Sequence, residues 1–130
     1  MRTRRSRSVS SVRGIRGAIT VNENTAEEII RATMRLLEEM VRANNIDVND
    51  IASIFLTMTP DLNAEFPALA ARKLGWTNVP LLGATEIAHP TAIGKCIRVL
   101  MHVNTDKSQA ELRHLYLDDA AQLRPDLLMP

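Results

Sequence analysis

The chain has 130 residues, 45% hydrophobic, 24% charged and only 3% aromatic, which is enough for one domain whose core must be aliphatic. Its single cysteine, Cys96, excludes an intramolecular disulfide and any multi-cysteine metal site. The net charge of +1 is unevenly spread: Arg2, Arg4, Arg5 and Arg7 crowd the first seven residues, and beyond them 12 Lys and Arg face 15 Asp and Glu. Nucleic-acid binding calls for a basic face on the folded body, and this body is acidic. No run approaches the ~18 to 20 apolar residues that cross a bilayer, and the arginines at the start are not followed by the apolar stretch of a secretory signal. The expectations are a cytoplasmic protein with no membrane and no nucleic-acid partner.

Residues 1–11 (MRTRRSRSVSS) are rich in Arg and Ser and offer little to bury, so they read as a disordered extension preceding a single domain over 12–130. From Val12 the chain alternates as a strand does, with Ile15, Gly17, Ile19 and Val21 on one face and Arg16, Ala18 and Thr20 on the other. Thr25 and Glu28 have the spacing of a capping box. The apolar side chains after them, from Ile29 and Ile30 through Leu36 and Leu37 to Met40 and Val41, recur at helical spacing as far as the Asn44-Asn45 stop. The nearly continuous apolar run Ile51–Thr59 reads as a central strand buried on both faces. A second helix is expected from Pro67 to Leu74 with Gly75 as its cap. A short strand over 79–82 follows, then a loop carrying Glu86 and His89-Pro90. Residues 96–104 (CIRVLMHVN) alternate strictly, 108–112 suit a helical turn, 114–117 a last strand, and the LRPDL end an irregular tail. The order β-α-β-α-β-β-β predicts an α/β fold, a mixed sheet with helices packed on one face. Its other face needs cover, and in so short a chain association with further copies supplies it.

Two arginines interrupt strands: Arg98 in the middle of an apolar one, and Arg16 between glycines in GIRGAIT. A solvent-facing or edge-strand arginine produces the same pattern. So does a paired anion clamp, because the planar guanidinium fork matches a carboxylate bidentately. Glu86 and Tyr116, the only tyrosine, say little individually. Other constellations fail. GIRG is too short for a phosphate loop, His89, His102 and His114 lack metal-ligand spacing, and no serine sits in a nucleophile elbow. Few aromatics are present to stack bases, and Cys96 in an alternating strand suits a small buried hydrophobe. Metal, covalent and redox catalysis all lack their parts, so an enzyme built this way works by electrostatics and positioning.

RGIRGAITV (13–21), TPDLNAEFPALAAR (59–72), GWTNVPLLGATE (75–86), CIRVLMHVNTD (96–106), RHLYL and LRPDL together resemble, in order and spacing, the AroH-class (Bacillus-type) chorismate mutases from about Val12 to Leu127. The resemblance implies a homotrimer whose mixed sheets form a pseudo-α/β-barrel, with active sites in clefts between adjacent subunits. It also implies rearrangement of chorismate to prephenate, a step toward phenylalanine and tyrosine, without cofactor or metal. By matching position, Arg98 resembles the arginine at the ether oxygen and a carboxylate, and Arg16 the arginine on the enolpyruvyl carboxylate, helped by the Tyr116 phenol. Glu86 resembles the acid that accepts from the substrate hydroxyl. Phe66, Ala68, Leu81 and Leu123 match apolar walls, and Arg72 and Arg124 match basic residues at the mouth or tail. Leu69 stands where the family carries a rim lysine, Leu82 and Gly83 replace a threonine and a cysteine of the pocket strand, and one residue is missing between Leu74 and Gly75. Leu69 and Gly83 leave room for one alternative, a trimeric carboxylate-binding protein that keeps the scaffold and has lost the reaction.

Overall fold

The structure, a computed structural model, describes residues 10–123. Most of the expected Arg/Ser extension (1–9) and most of the LRPDL tail, Arg124 included, lie outside them. Ser11, assigned to the extension by its composition, opens β1 (Ser11–Thr20) and pairs with Thr105.

Helix α1 (Ala26–Ala43) starts at Thr25, whose side chain accepts from the Glu28 N–H at 3.2 Å. The reciprocal half of the expected capping box is not made. The Thr25 N–H donates to the Glu23 carbonyl, and the Glu28 carboxylate pairs instead with Arg31 one turn on. Ile29, Ala32, Thr33, Leu36, Leu37 and Met40 form the buried stripe. The stop falls where the Asn pair predicts it. Asn45 adopts the left-handed conformation (φ 52), while Asn44, buried, donates to the Met40 and Arg113 carbonyls and accepts from the Arg113 N–H.

Strand β2 (Ile51–Met58), helix α2 (Ala68–Lys73), β3 (Leu81–Thr85), β4 (Cys96–Thr105) and β5 (Leu115–Leu117) complete the order that the pattern predicts. Gly75, at φ 84, closes α2. β3 runs further than expected because it pairs in parallel with β2 from Ile54↔Leu81 to Met58↔Thr85, which carries Glu86 to the strand's end rather than into a loose loop. Just ahead of the LRPDL tail, Asp118–Leu123 forms a 3-10 helix that the sequence pattern did not predict.

The five strands lie in the order β3-β2-β4-β1-β5. β4 is central and antiparallel to both neighbours, and the two edge strands run parallel to theirs. Ile15 and Ile19 of β1, Ile54 and Leu56 of β2, and Ile97, Val99, Met101 and Val103 of β4 pack with the α1 stripe into one core. Helix and sheet approach so closely at Gly17 that a Cβ there would lie 2.5 Å from the Met40 Sδ, so a larger residue would force the Met40 side chain to shift. β2 is not buried on both faces as its apolar run suggests: Phe55 is 41% exposed. The reason is architectural, since both α-helices cover the same side and leave Val12, Phe55, Leu82 and Leu100 on the open one. At one corner the 3-10 helix folds onto that open face, where Ala120 packs on Ala18 and Cys96.

Candidate active site

The strand register decides which side chains meet. In the antiparallel ladders Arg98 lies opposite Thr57 of β2 on one side and Ala18 of β1 on the other, and Ala18 in turn lies opposite Tyr116 of β5. Arg16 pairs with Leu100 two residues along. Because strand side chains alternate, Arg16, Thr57, Arg98 and Tyr116 all emerge on the open face. Ala18, the smallest of the row, leaves space between the Arg98 and Tyr116 side chains.

Glu86 enters from the end of β3, its N–H held by the Met58 carbonyl at 2.9 Å. Its carboxylate Oε2 accepts from the Thr57 hydroxyl and lies 3.5 Å from Arg98 Nε. The Arg16 main chain is anchored by its N–H donating to His114 Nδ1 at 2.9 Å. These groups line a cavity of about 430 Å³, with Phe55 and Leu100 on its apolar floor and Leu123, at the end of the 3-10 helix, on its wall. Two guanidiniums and one carboxylate give it a net positive character suited to a small anion. Arg98 is 45% and Glu86 23% exposed, so the pair meets solvent and can exchange partners.

The start of β4 is fixed from behind. Asp61 accepts the Lys95 N–H with both carboxylate oxygens, at 3.1 and 2.8 Å, and the Thr59 hydroxyl at 2.5 Å. Thr59 Oγ1 also accepts the Cys96 N–H at 3.0 Å. The TPD turn thus holds the strand two residues before Arg98. Cys96, fully buried, behaves as the small hydrophobe its pattern suggests. Burial pushes its thiol up to about 11, against the opposing pull of the Arg98 charge, so it carries no thiolate at neutral pH. Among the described residues no group of three His, Cys, Asp or Glu side chains is placed to hold a metal ion.

Arg16, Glu86, Arg98, Tyr116 and Leu123 therefore come together, while the other expected wall residues do not join them. Phe66, Ala68, Arg72 and Gly83, with Leu69, line a separate cavity of about 660 Å³ beside α2 and the edge strand β3. Phe66 is 78% exposed there. Leu81 packs against the helix-side core, Leu82 projects from the open face, and Arg124 lies outside the described residues. Thr57 was missed because it sits in a run read as uniformly buried. The signal was available: it is a polar residue two positions from Phe55 on the same side of the strand.

Residues 12–127 match the family model described as chorismate mutase type I. The chorismate mutase AroH of Thermus thermophilus is 50% identical over 117 residues, spanning 89% of this chain and 96% of the relative. That of Bacillus subtilis (strain 168) is 46% identical over 117 residues, spanning 89% and 92%. Among solved structures, a chorismate mutase from Clostridium thermocellum superposes with a TM-score of 0.83 at 50% identity, covering 84% of this chain and 97% of its own. With the family model spanning nearly the whole domain and the open-face site in place, the chain belongs to the type I chorismate mutases.

Proposed function

We propose that the chain rearranges chorismate to prephenate in the open-face cavity, with Arg98 as the residue that lowers the barrier and Arg16, Tyr116 and Glu86 as the residues that hold the substrate. The reaction is a concerted [3,3] shift: one C–O bond breaks as one C–C bond forms, and no proton, nucleophile or metal is required. As the C–O bond lengthens, negative charge gathers on the ether oxygen. A cation fixed at that oxygen binds the transition state more tightly than the substrate, which is the condition for raising kcat. In other enzymes one such donor contributes roughly 2.7 to 4 kcal/mol. The remaining requirement is a folded substrate, its side chain over the ring as a near-attack conformer. Arg16 and Tyr116 pin a carboxylate and Glu86 accepts from the hydroxyl. The observation that carries the reading is the register placing Arg98 between Thr57 and Ala18, its guanidinium beside Glu86 in an anion-sized cavity. The carboxylate-binding alternative without catalysis gains no support, since both curated relatives are chorismate mutases.

The second cavity belongs to the same proposal. Phe66, Ala68, Arg72 and Gly83 gather by β3 at one edge of the sheet, while Tyr116 and Leu123 stand by β5 at the other. Two patches at opposite edges of the sheet suit a head-to-tail contact, the kind that forms a ring when its rotation closes. In the proposed homotrimer each copy's Phe66 side covers the next copy's Arg98 side, and the apolar open faces are buried together. We place the enzyme in the cytoplasm; among the described residues no helix is long and apolar enough to cross a membrane. The deciding experiment follows loss of chorismate absorbance on adding purified protein and identifies prephenate as product. Enzyme-dependent chorismate loss with no prephenate, or none at all, rejects the assignment. Sedimentation of the same sample measures the trimer.

A further inference from the structure

Glu86 and Arg98 present a conflict. A carboxylate beside a guanidinium tends toward a direct, bidentate pair, and such a pair would spend on Glu86 the positive charge that Arg98 must direct at the ether oxygen. In the structure the two stop short of it, with Nε and Oε2 at 3.5 Å. Oε2 is instead taken by the Thr57 hydroxyl. That hydroxyl has one proton to give, Thr57 stands directly opposite Arg98 in the ladder, and its side chain lines the same cavity. Among the described residues Oε1 has no hydrogen bond and is left for a ligand.

We propose that Thr57 is a positioning residue for Glu86: its hydroxyl fixes Oε2, presents Oε1 to the substrate hydroxyl, and keeps the carboxylate from collapsing onto Arg98. The proposal rests on the reading of Glu86 and Arg98 given above. It assigns Thr57 a role that acts through Glu86 and preserves the charge of Arg98, so its loss falls on kcat more than on KM.

The test uses Thr57→Val, which keeps the shape and β-branching of the side chain on a half-buried strand position and removes only the hydroxyl, together with Thr57→Ser, which restores it. A hydrogen bond to a charged partner corresponds to roughly a ten-fold effect or more. Thr57→Val is expected to lower kcat by about that factor, with KM changed by less than about three-fold and the unfolding temperature held. Thr57→Ser is expected to recover most of the rate. The deciding arm is the double-mutant cycle: in a Glu86→Ala background, Thr57→Val has no further effect. An equal loss in both backgrounds, a wild-type rate in Thr57→Val, or no recovery in Thr57→Ser overturns the proposal. If Glu86→Ala alone leaves activity untouched, the failure lies instead in the reading of Glu86, and the two outcomes are thereby told apart.

Discussion

The two faces of the sheet are built from the same strands, and the alternation that makes one of them a core makes the other a site. On the helix side Ile15, Ile54, Leu56, Ile97 and Met101 meet Leu36, Leu37 and Met40 with no exposure at all. The positions there are apolar except Thr33, whose hydroxyl donates to the Ile29 carbonyl at 2.7 Å, and Gly17 sits against the Met40 sulfur. On the open side the neighbours of those residues are Arg16, Thr57, Arg98 and Tyr116, set among half-exposed apolar groups. A charged side chain costs little on that solvent-exposed face, and would gain strength if the proposed substrate and neighbouring copy exclude water there. The core and the proposed site are thus separated by one residue of register, so a slip by one position would exchange them.

That separation can be tested by substitutions on either side, taken from the largest expected effect to the smallest. Arg98→Ala should remove at least about a hundred- to a thousand-fold of kcat while leaving a folded protein. Near wild-type turnover in that variant would show that the open face is not where the barrier is lowered. Arg98→Lys keeps the charge and loses the fork, and an unchanged kcat there would reduce Arg98 to a generic cation. On the opposite face, Leu36→Ala should cost about 2 to 5 kcal/mol of unfolding free energy, read from denaturant titration, with kcat per folded molecule unaltered. Gly17→Ala, which forces a methyl group toward Met40, should cost about 1 to 3 kcal/mol. If it instead lowered kcat without changing stability, the division between faces would fail at that point.

The corner where the two faces meet gives a pH test. The Cys96 thiol is raised from 9.0 to about 11 by burial, so the folded state retains a proton that the unfolded chain releases first. The stability this contributes is complete below pH 9.0 and is lost as pH climbs to about 11. Cys96→Ala should flatten that alkaline decline in unfolding experiments. The smallest effect is expected from Arg35→Ala. It breaks the ion pair with Asp118 at 3.1 Å between α1 and the 3-10 helix, but both side chains are about half exposed, so the loss should stay within about 1 kcal/mol and shrink further in salt.

Much of this was legible from residue order. The α1 stripe, the Asn44-Asn45 stop, the Gly75 cap and the strict alternation of 96–104 follow from local periodicity and backbone preference, and each appears in the structure within a residue or two. The two-sided burial expected of β2 failed because an apolar run does not say how many layers surround it. The capping box formed only half because Glu28 had a competing partner in Arg31 one turn away. Of the site, Arg16 and Arg98 stood out as charges inside strands, whereas Glu86, Tyr116 and Leu123 had no local signal and were reached only through the family resemblance.

The chain's own order of residues determined the elements, the helix-facing stripe and the acidic body behind a basic start, because these depend on contacts a few residues apart. The tertiary structure alone decided that Thr57 and Ala18 flank Arg98, with Tyr116 beyond Ala18, since register between strands about forty to a hundred residues apart is set by packing of the shared core. It also decided that the expected wall residues fall into two cavities, one near each edge of the sheet. That division follows from the strand order, which carries β3 and β5 to opposite edges however close together a sequence motif makes their residues look.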